Sequence, residues 1–368
     1  MMNKLPILLF LFLFSGTLSF AQDEEAPAVD TSDVTNKIVK AANFKCDSAA
    51  VHIKNKDIKG ANKLYAEAIK EYKKAIKLNP TSYGANYQLG VAQTKTKDYK
   101  NALISFDKAL SIDAEKGDAF RERGMAQIGL EKDSLALKDF NRALEKNYDD
   151  FLAYYQRALL KGKGRDKQPA LEDLTHAIES NPVYQDAYMA RGKIYLNINK
   201  DYVLALNDFN KLLELNPENM EVYLLRGKTN FYGGANKSAE KDLSRYLDME
   251  PDNVEALILR GCCRINTSNY SGAVRDFDDV IKIEPKNVVA LMNRGTAKGF
   301  MKNYTGALED LDMAIKLKFD YSGAYLNRAL VKYANKDTKG GCKDLEKADS
   351  LNNEKAAQLL EQYCKERK

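Results

Sequence analysis

Arginine stands immediately before Gly or Ala at Arg123, Arg157, Arg191, Arg226, Arg260, Arg294 and Arg328. Aspartate stands immediately before Phe or Leu at Asp139, Asp173, Asp208, Asp242, Asp276, Asp310 and Asp344. Two chemistries are open to such rows. A row of guanidinium groups would bind an anionic ligand. Matched one to one, each guanidinium would instead grip a carboxylate with two hydrogen bonds in a partly buried groove. Where Leu89 stands in the arginine place, Ser105 stands in the aspartate place, so both partners are absent together. That co-occurrence, with an acid for every arginine, favours a structural ladder of ion pairs.

Other reactive side chains do not cluster. The two histidines, His52 and His176, are far apart. Five cysteines, Cys46, Cys262, Cys263, Cys342 and Cys364, give an odd count, so at least one thiol stays unpaired. Cys262 and Cys263 are adjacent, and on a helix they point about 100° apart, which suits neither a shared metal nor a relaxed disulfide. Cys342 and Cys364 are candidates to bridge the last repeated unit to the C-terminal segment, but spacing alone gives no geometry for that bond. No His, Cys or carboxylate group has metal-ligand spacing, and there is no phosphate loop or nucleophile elbow. Catalysis, a metal and a cofactor are therefore not expected. The net charge is +5 over 368 residues, with acidic and basic residues interleaved, so a nucleic-acid partner is not expected either.

The elements that position these rows are repeated. Pro182, Pro217, Pro251 and Pro285 stand 35, 34 and 34 residues apart. Gly124, Gly192, Gly227, Gly261 and Gly295 mark the same phase, with Ala158 and Ala329 in two further units. A first helix is predicted to carry Ala at its third position, a large residue at its fourth and Gly or Ala at its eighth. A second helix then opens at a small residue such as Ala102 or Ala273 and presents Phe106, Phe140, Phe209, Phe277 or Leu311 to the core. Offsets of three, four and seven place these residues on one stripe. This phrase and spacing resemble the tetratricopeptide repeat, whose unit is a pair of antiparallel helices. The resemblance implies an all-α, right-handed superhelical solenoid of about nine helix pairs closed by a capping helix.

The units are placed at 83–116, 117–150, 151–184, 185–219, 220–253, 254–287, 288–321 and 322–355, preceded by a degenerate one at 42–82. That first unit carries a seven-residue insertion and is expected to have an unusually long second helix. The unit 185–219 is one residue longer, which predicts a bulged turn near Asn199 to Tyr202. Residues 22–41 read as an acidic flexible linker and helix lead-in. Residues 356–368, with Ala357, Leu360, Tyr363 and Cys364 on one stripe, read as the capping helix.

In this family the fifth, ninth, twelfth and thirteenth positions of the first helices usually line the concave face. Carried over, the fifth positions are Tyr87, Arg121, Tyr155, Met189, Leu224, Ile258, Met292 and Leu326. The ninth are Val91, Met125, Leu159, Lys193, Lys228, Cys262, Thr296 and Leu330. The last two add Phe231, Tyr232, Ile265, Phe300 and Tyr333, and together these give a partner-binding groove. Such an apolar, aromatic strip suits an extended peptide or an amphipathic helix. The alternative is that these side chains pack on neighbouring units. The Lys and Asn clamp that some co-chaperones of the family close on a carboxylate terminus is not reproduced at Tyr87, Val91, Arg121 or Tyr155.

The start of the chain predicts export. Lys4 precedes an apolar run from Leu5 to Phe14, and Ser19-Phe20-Ala21 closes it, so residues 1–21 read as a signal peptide cleaved before Gln22. The expectation is a periplasmic or secreted, non-catalytic scaffold of a bacterial cell envelope, binding a protein or peptide. A glycan or cell-wall-fragment binding module, with Tyr155, Phe231 and Tyr232 stacking on sugars, and a regulatory subunit of an envelope enzyme are the alternatives.

Overall fold

The computed structural model describes residues 31–365, so the leader and residues 22–30 lie outside the described residues. Every element in the described part is a helix. The helices fall into two units. The first holds α1 (Thr31–Lys54), α2 (Ile58–Leu78), α3 (Tyr83–Lys95), α4 (Tyr99–Ile112) and the last turn of α5 (Gly117–Gly129). The second begins with the opening turns of α5 and continues through α6 (Asp133–Lys146), α7 (Phe151–Lys161), α8 (Gln168–Ser180), α9 (Gln185–Ile194) and α10 (Tyr202–Leu215). It is completed by α11 (Met220–Tyr232), α12 (Asn236–Leu247), α13 (Val254–Asn266), α14 (Tyr270–Ile283), α15 (Val288–Phe300), α16 (Tyr304–Leu317), α17 (Ser322–Ala334), α18 (Thr338–Ser350) and α19 (Glu354–Leu360).

Local chemistry sets these boundaries. Side chains of Asp57, Ser82, Asp150, Asp201, Asn253, Asn269, Asn287, Asn303 and Asp337 each accept from a backbone N–H of the helix they precede. Between the two helices of most pairs the chain reverses through one left-handed residue: Lys56, Lys97, Glu131, Lys200, Ser268, Lys302, Lys336 or Gly234. The second helix then packs hard on the first. The pairs Gly90–Phe106, Gly124–Phe140, Gly192–Phe209 and Gly261–Phe277 leave no room for a methyl group, which at Gly261 would sit 2.7 Å from the Phe277 ring. Those four rings are fully buried.

Three features refine or depart from the expectations. The helix lead-in expected within residues 22–41 begins at Thr31 and runs unbroken into the first pair: Thr35 is buried, and Val39 and Ala42 join the core of Tyr65, Ala68 and Tyr72. Both helices of the first pair are long, at 24 and 21 residues, because an extended α2 needs an equally long partner to cover its apolar stripe. The extra residue of unit 185–219 enters as a π turn at Tyr195–Asn199, upstream of the expected bulge, and Lys200 ends it. One added residue inside a helix keeps its backbone hydrogen bonds by widening a single turn.

The C-terminal cap starts at Glu354 and ends in a second π turn, Glu361–Lys365. Ala356, Leu359 and Leu360 close over Leu326, Ala329 and Leu345. Cys342 and Cys364 are joined in a disulfide, and the Tyr333 hydroxyl lies 2.8 Å from each sulfur. The bond ties the cap to α18. In a stack whose units touch only their neighbours, its loss acts locally. Reduction is expected to speed amide hydrogen exchange in residues 354–364 while exchange in α7 and α8 stays unchanged. Equal acceleration along the whole second unit would contradict this.

Candidate functional site

All the arginines of the row reach the aspartate of their own helix pair. Arg123 Nε and Nη2 donate to Asp139 at 2.8 and 2.7 Å. Arg157 holds Asp173, and Arg226 holds Asp242, at the same two distances. Arg191 donates to Asp208 at 3.1 and 2.8 Å, and Arg260 Nη2 to Asp276 at 2.7 Å. Arg294–Asp310 and Arg328–Asp344 close the series at 2.5 and 2.6 Å. The carboxylates are buried. Burial pushes Asp208 and Asp276 above the usual carboxylate range, against the pull of their arginines. The Asp partner in turn holds Arg226 and Arg294 firmly protonated.

Two further layers of the ladder are not evident from the sequence. The first is a second donor to the aspartate from the eleventh residue of the first helix. Lys161 reaches Asp173 at 2.9 Å, Arg264 reaches Asp276 at 2.7 Å, and Lys298 and Lys332 reach Asp310 and Asp344 at 2.8 Å. Asn230 donates to Asp242 at 3.2 Å. The second is a backward reach. Arginine Nη1 donates to a side chain on the second helix of the preceding pair: Arg157 to Asn141, Arg191 to Thr175, Arg226 to Asn210, Arg294 to Asp278 and Arg328 to Asp312. Arg123, Arg157, Arg191, Arg226 and Arg328 also lie over an aromatic ring of their own helix, at Phe120, Tyr154, Tyr188, Tyr223 and Tyr325. Each guanidinium thus commits its Nε and Nη2 to a buried carboxylate, which fits a ladder of ion pairs better than an anion-binding row.

The residues of the expected groove do not form one open strip. Leu326 is buried, 8% exposed, beneath the cap. Tyr87, in the first unit, packs on Phe106. Arg121 donates to Asp150 at 2.6 Å. Leu224, Ile258, Phe231 and Cys262 are half-buried against the core of α12 to α14, and Met292 packs beside Leu291 and Leu311. Tyr333 is held on the disulfide. Lys193 and Lys228 are neutralised by Glu221 and Glu255 of the following pair, at 2.8 and 2.7 Å. Two pockets stay open among these positions: one of about 370 Å³ between α7 and α9, which gathers Tyr155, Leu159, Met189, Ile194, Asp186 and Lys193, and one of about 260 Å³ between α15 and α17, bordered by Thr296, Phe300 and Leu330. Tyr232 and Phe300 are 51% and 57% exposed, and both lie on the edge where the second helices begin.

Of the adjacent thiols of α13, Cys263 is buried and Cys262 half-buried. Burial pushes the Cys262 thiol up to about 11 and Cys263 up to about 12, so both stay protonated at neutral pH. Among the described residues no group of three His, Cys, Asp or Glu side chains is placed to hold a metal. No described helix is long and apolar enough to cross a membrane.

Models of the tetratricopeptide repeat family match residues 63–97, 83–116 and 155–219. Residues 63–116 and 155–219 are tetratricopeptide repeats. Among solved structures it is similar to YrrB, described as a TPR protein with an unusual peptide-binding site, at 27% identity over 50% of this chain and 95% of that one, with a TM-score of 0.47. It is also similar to the C-terminal part of a TPR repeat-containing protein from Cytophaga hutchinsonii, at 15% identity, 74% and 98% coverage and a TM-score of 0.47. Yeast Tom70 matches at 17% identity over 87% of this chain and 94% of that one, with a TM-score of 0.37. No curated protein matches.

Proposed function

We propose that this repeat protein is a non-catalytic interaction scaffold, exported to a bacterial cell envelope, that seats an apolar side chain of a protein partner between α7 and α9. The observation that carries the reading is the pocket itself. It is lined by Tyr155, Leu159, Met189 and Ile194, and the one cation at its rim, Lys193, is already paired with Glu221. A peptide or helix therefore gains from burying an apolar anchor there, at about 25 cal/mol per Å² of apolar surface. Its affinity is expected to depend only weakly on salt. Export rests on residues 1–21.

Leu159 is the residue to change, because it is 43% exposed and a charge there blocks the pocket without entering the core. Leu224 and Ile258 are half-buried, so a charge at either would disturb the fold as well. Co-purification of the tagged mature protein from envelope extract is expected to recover a partner that Leu159→Glu loses at unchanged helicity. Recovery of the same set by both proteins would discard the pocket. Finding the protein in the cytosolic fraction would discard export.

A further inference from the structure

In the middle of the second unit the first residue of a second helix meets the thirteenth residue of the next first helix in three successive repeats, and these meetings form a row of their own. Tyr202 stacks with Tyr232, ring centroids 6.4 Å apart and planes 23° apart, with Phe231 edge-on at 5.4 Å. One repeat on, Asn266 Nδ2 donates to Asn236 Oδ1 at 3.0 Å. One repeat further, Tyr270 stacks with Phe300 at 4.8 Å and 13°. The outward members, Tyr232 and Phe300, are more than half exposed. At the amide rung lies a cavity of about 350 Å³, bounded by Asn236, Lys237, Ser238 and Thr267. Asn266 is exposed there and has an amide oxygen left to accept.

From this juxtaposition we propose that the edge formed by Tyr232, Asn236, Asn266 and Phe300 binds a neutral polysaccharide chain. The ring pairs present flat faces to the C–H faces of sugar rings, and the amides and the Ser238 hydroxyl between them address sugar hydroxyls. Charge does not dominate this edge, where Lys237 is the one charged side chain at the amide cavity. Phe300 also borders an apolar pocket of about 260 Å³ with Leu330 and Val331, so release of a protein partner by Phe300→Ala is among the overturning results. With helices packed 8–10 Å apart, two repeats set the aromatic rungs on the order of 20 Å apart. The site therefore takes an extended oligosaccharide and not a single sugar. It is separate from the α7–α9 pocket, and the two assignments stand or fall independently.

The test is calorimetric titration of the whole mature protein with chitohexaose and with cellohexaose, using N-acetylglucosamine and glucose as monomer controls. At least one hexasaccharide is expected to bind about tenfold more tightly than its monomer. Tyr232→Ala and Phe300→Ala are each expected to weaken it about tenfold, the loss of one stacking platform. Leu159→Glu is expected to leave it unchanged. Asn266→Leu removes the amide at nearly constant bulk and serves as the second variant if either ring substitution lowers the melting temperature. The proposal is overturned if neither hexasaccharide gives a saturable signal, or if monomer and hexamer bind alike. It is equally overturned if binding survives both ring substitutions, or if Phe300→Ala instead releases a protein partner.

Discussion

Asp276→Ala destabilises the repeat formed by α13 and α14 by about 3–5 kcal/mol, the cost of removing one partner from a buried pair. The side chain is 2% exposed and accepts from both Arg260 and Arg264, so its loss leaves Arg260 without a counter-charge and Arg264 with Glu240 alone, at 2.8 Å. Arg260→Ala costs less, because Arg264 Nη1 still holds Asp276 at 2.7 Å. The order Asp276→Ala worse than Arg260→Ala is the discriminating result. It is best read by hydrogen exchange across α13 and α14, since a repeat stack can melt in parts. Equal losses for the two variants, or losses below about 1 kcal/mol as for surface pairs, would show that the ladder does not brace the fold. Because the pair sits away from the α7–α9 pocket, partner capture should persist wherever the variant remains folded.

Gly261→Ala is expected to cost about 1–3 kcal/mol through overpacking, although alanine gains roughly 1 kcal/mol over glycine in a helix. A methyl group there meets the Phe277 ring, which is wholly buried and has nowhere to move. Adding Phe277→Leu should recover most of the loss, since the combination Ala with Leu already exists as Ala158 with Leu174 and Ala329 with Leu345. The double variant would then be more stable than the sum of its parts by more than the few tenths expected of independent sites. Urea unfolding of the four proteins measures this. Simple additivity would mean that the contact of glycine with ring does not govern the spacing of the two helices.

The helix pairs are legible in the sequence because their signals are repetitive and chemically narrow: Ala at the third place, Gly or Ala at the eighth, an aromatic or Leu in the second helix. The same narrowness makes Arg and Asp readable as partners, since Leu89 and Ser105 depart from the pattern together. The second donor is not readable, because Lys161, Asn230, Arg264, Lys298 and Lys332 share only the ability to donate. The groove differs from its expected form for a geometric reason. Helical position tells which way Leu326 or Tyr87 points, but not whether a cap or an aromatic neighbour closes over it. Where the helix lead-in within residues 22–41 starts is not readable in the sequence, because Thr35, Val39 and Ala42 are too few to show a period before the register of α2 is known.

The backward reach of each arginine gives the array a direction. A helix pair carries its own donor at one end and, on its second helix, the acceptor for the next pair's donor. Duplicating or deleting a whole pair within residues 151–350 therefore restores a donor and an acceptor at every junction. Losing a single helix strands a buried charge. The coding sequence for such a ladder can lengthen or shorten without structural penalty only in steps near the 34-residue spacing of its prolines, so the number of units is free to drift while their phase is not.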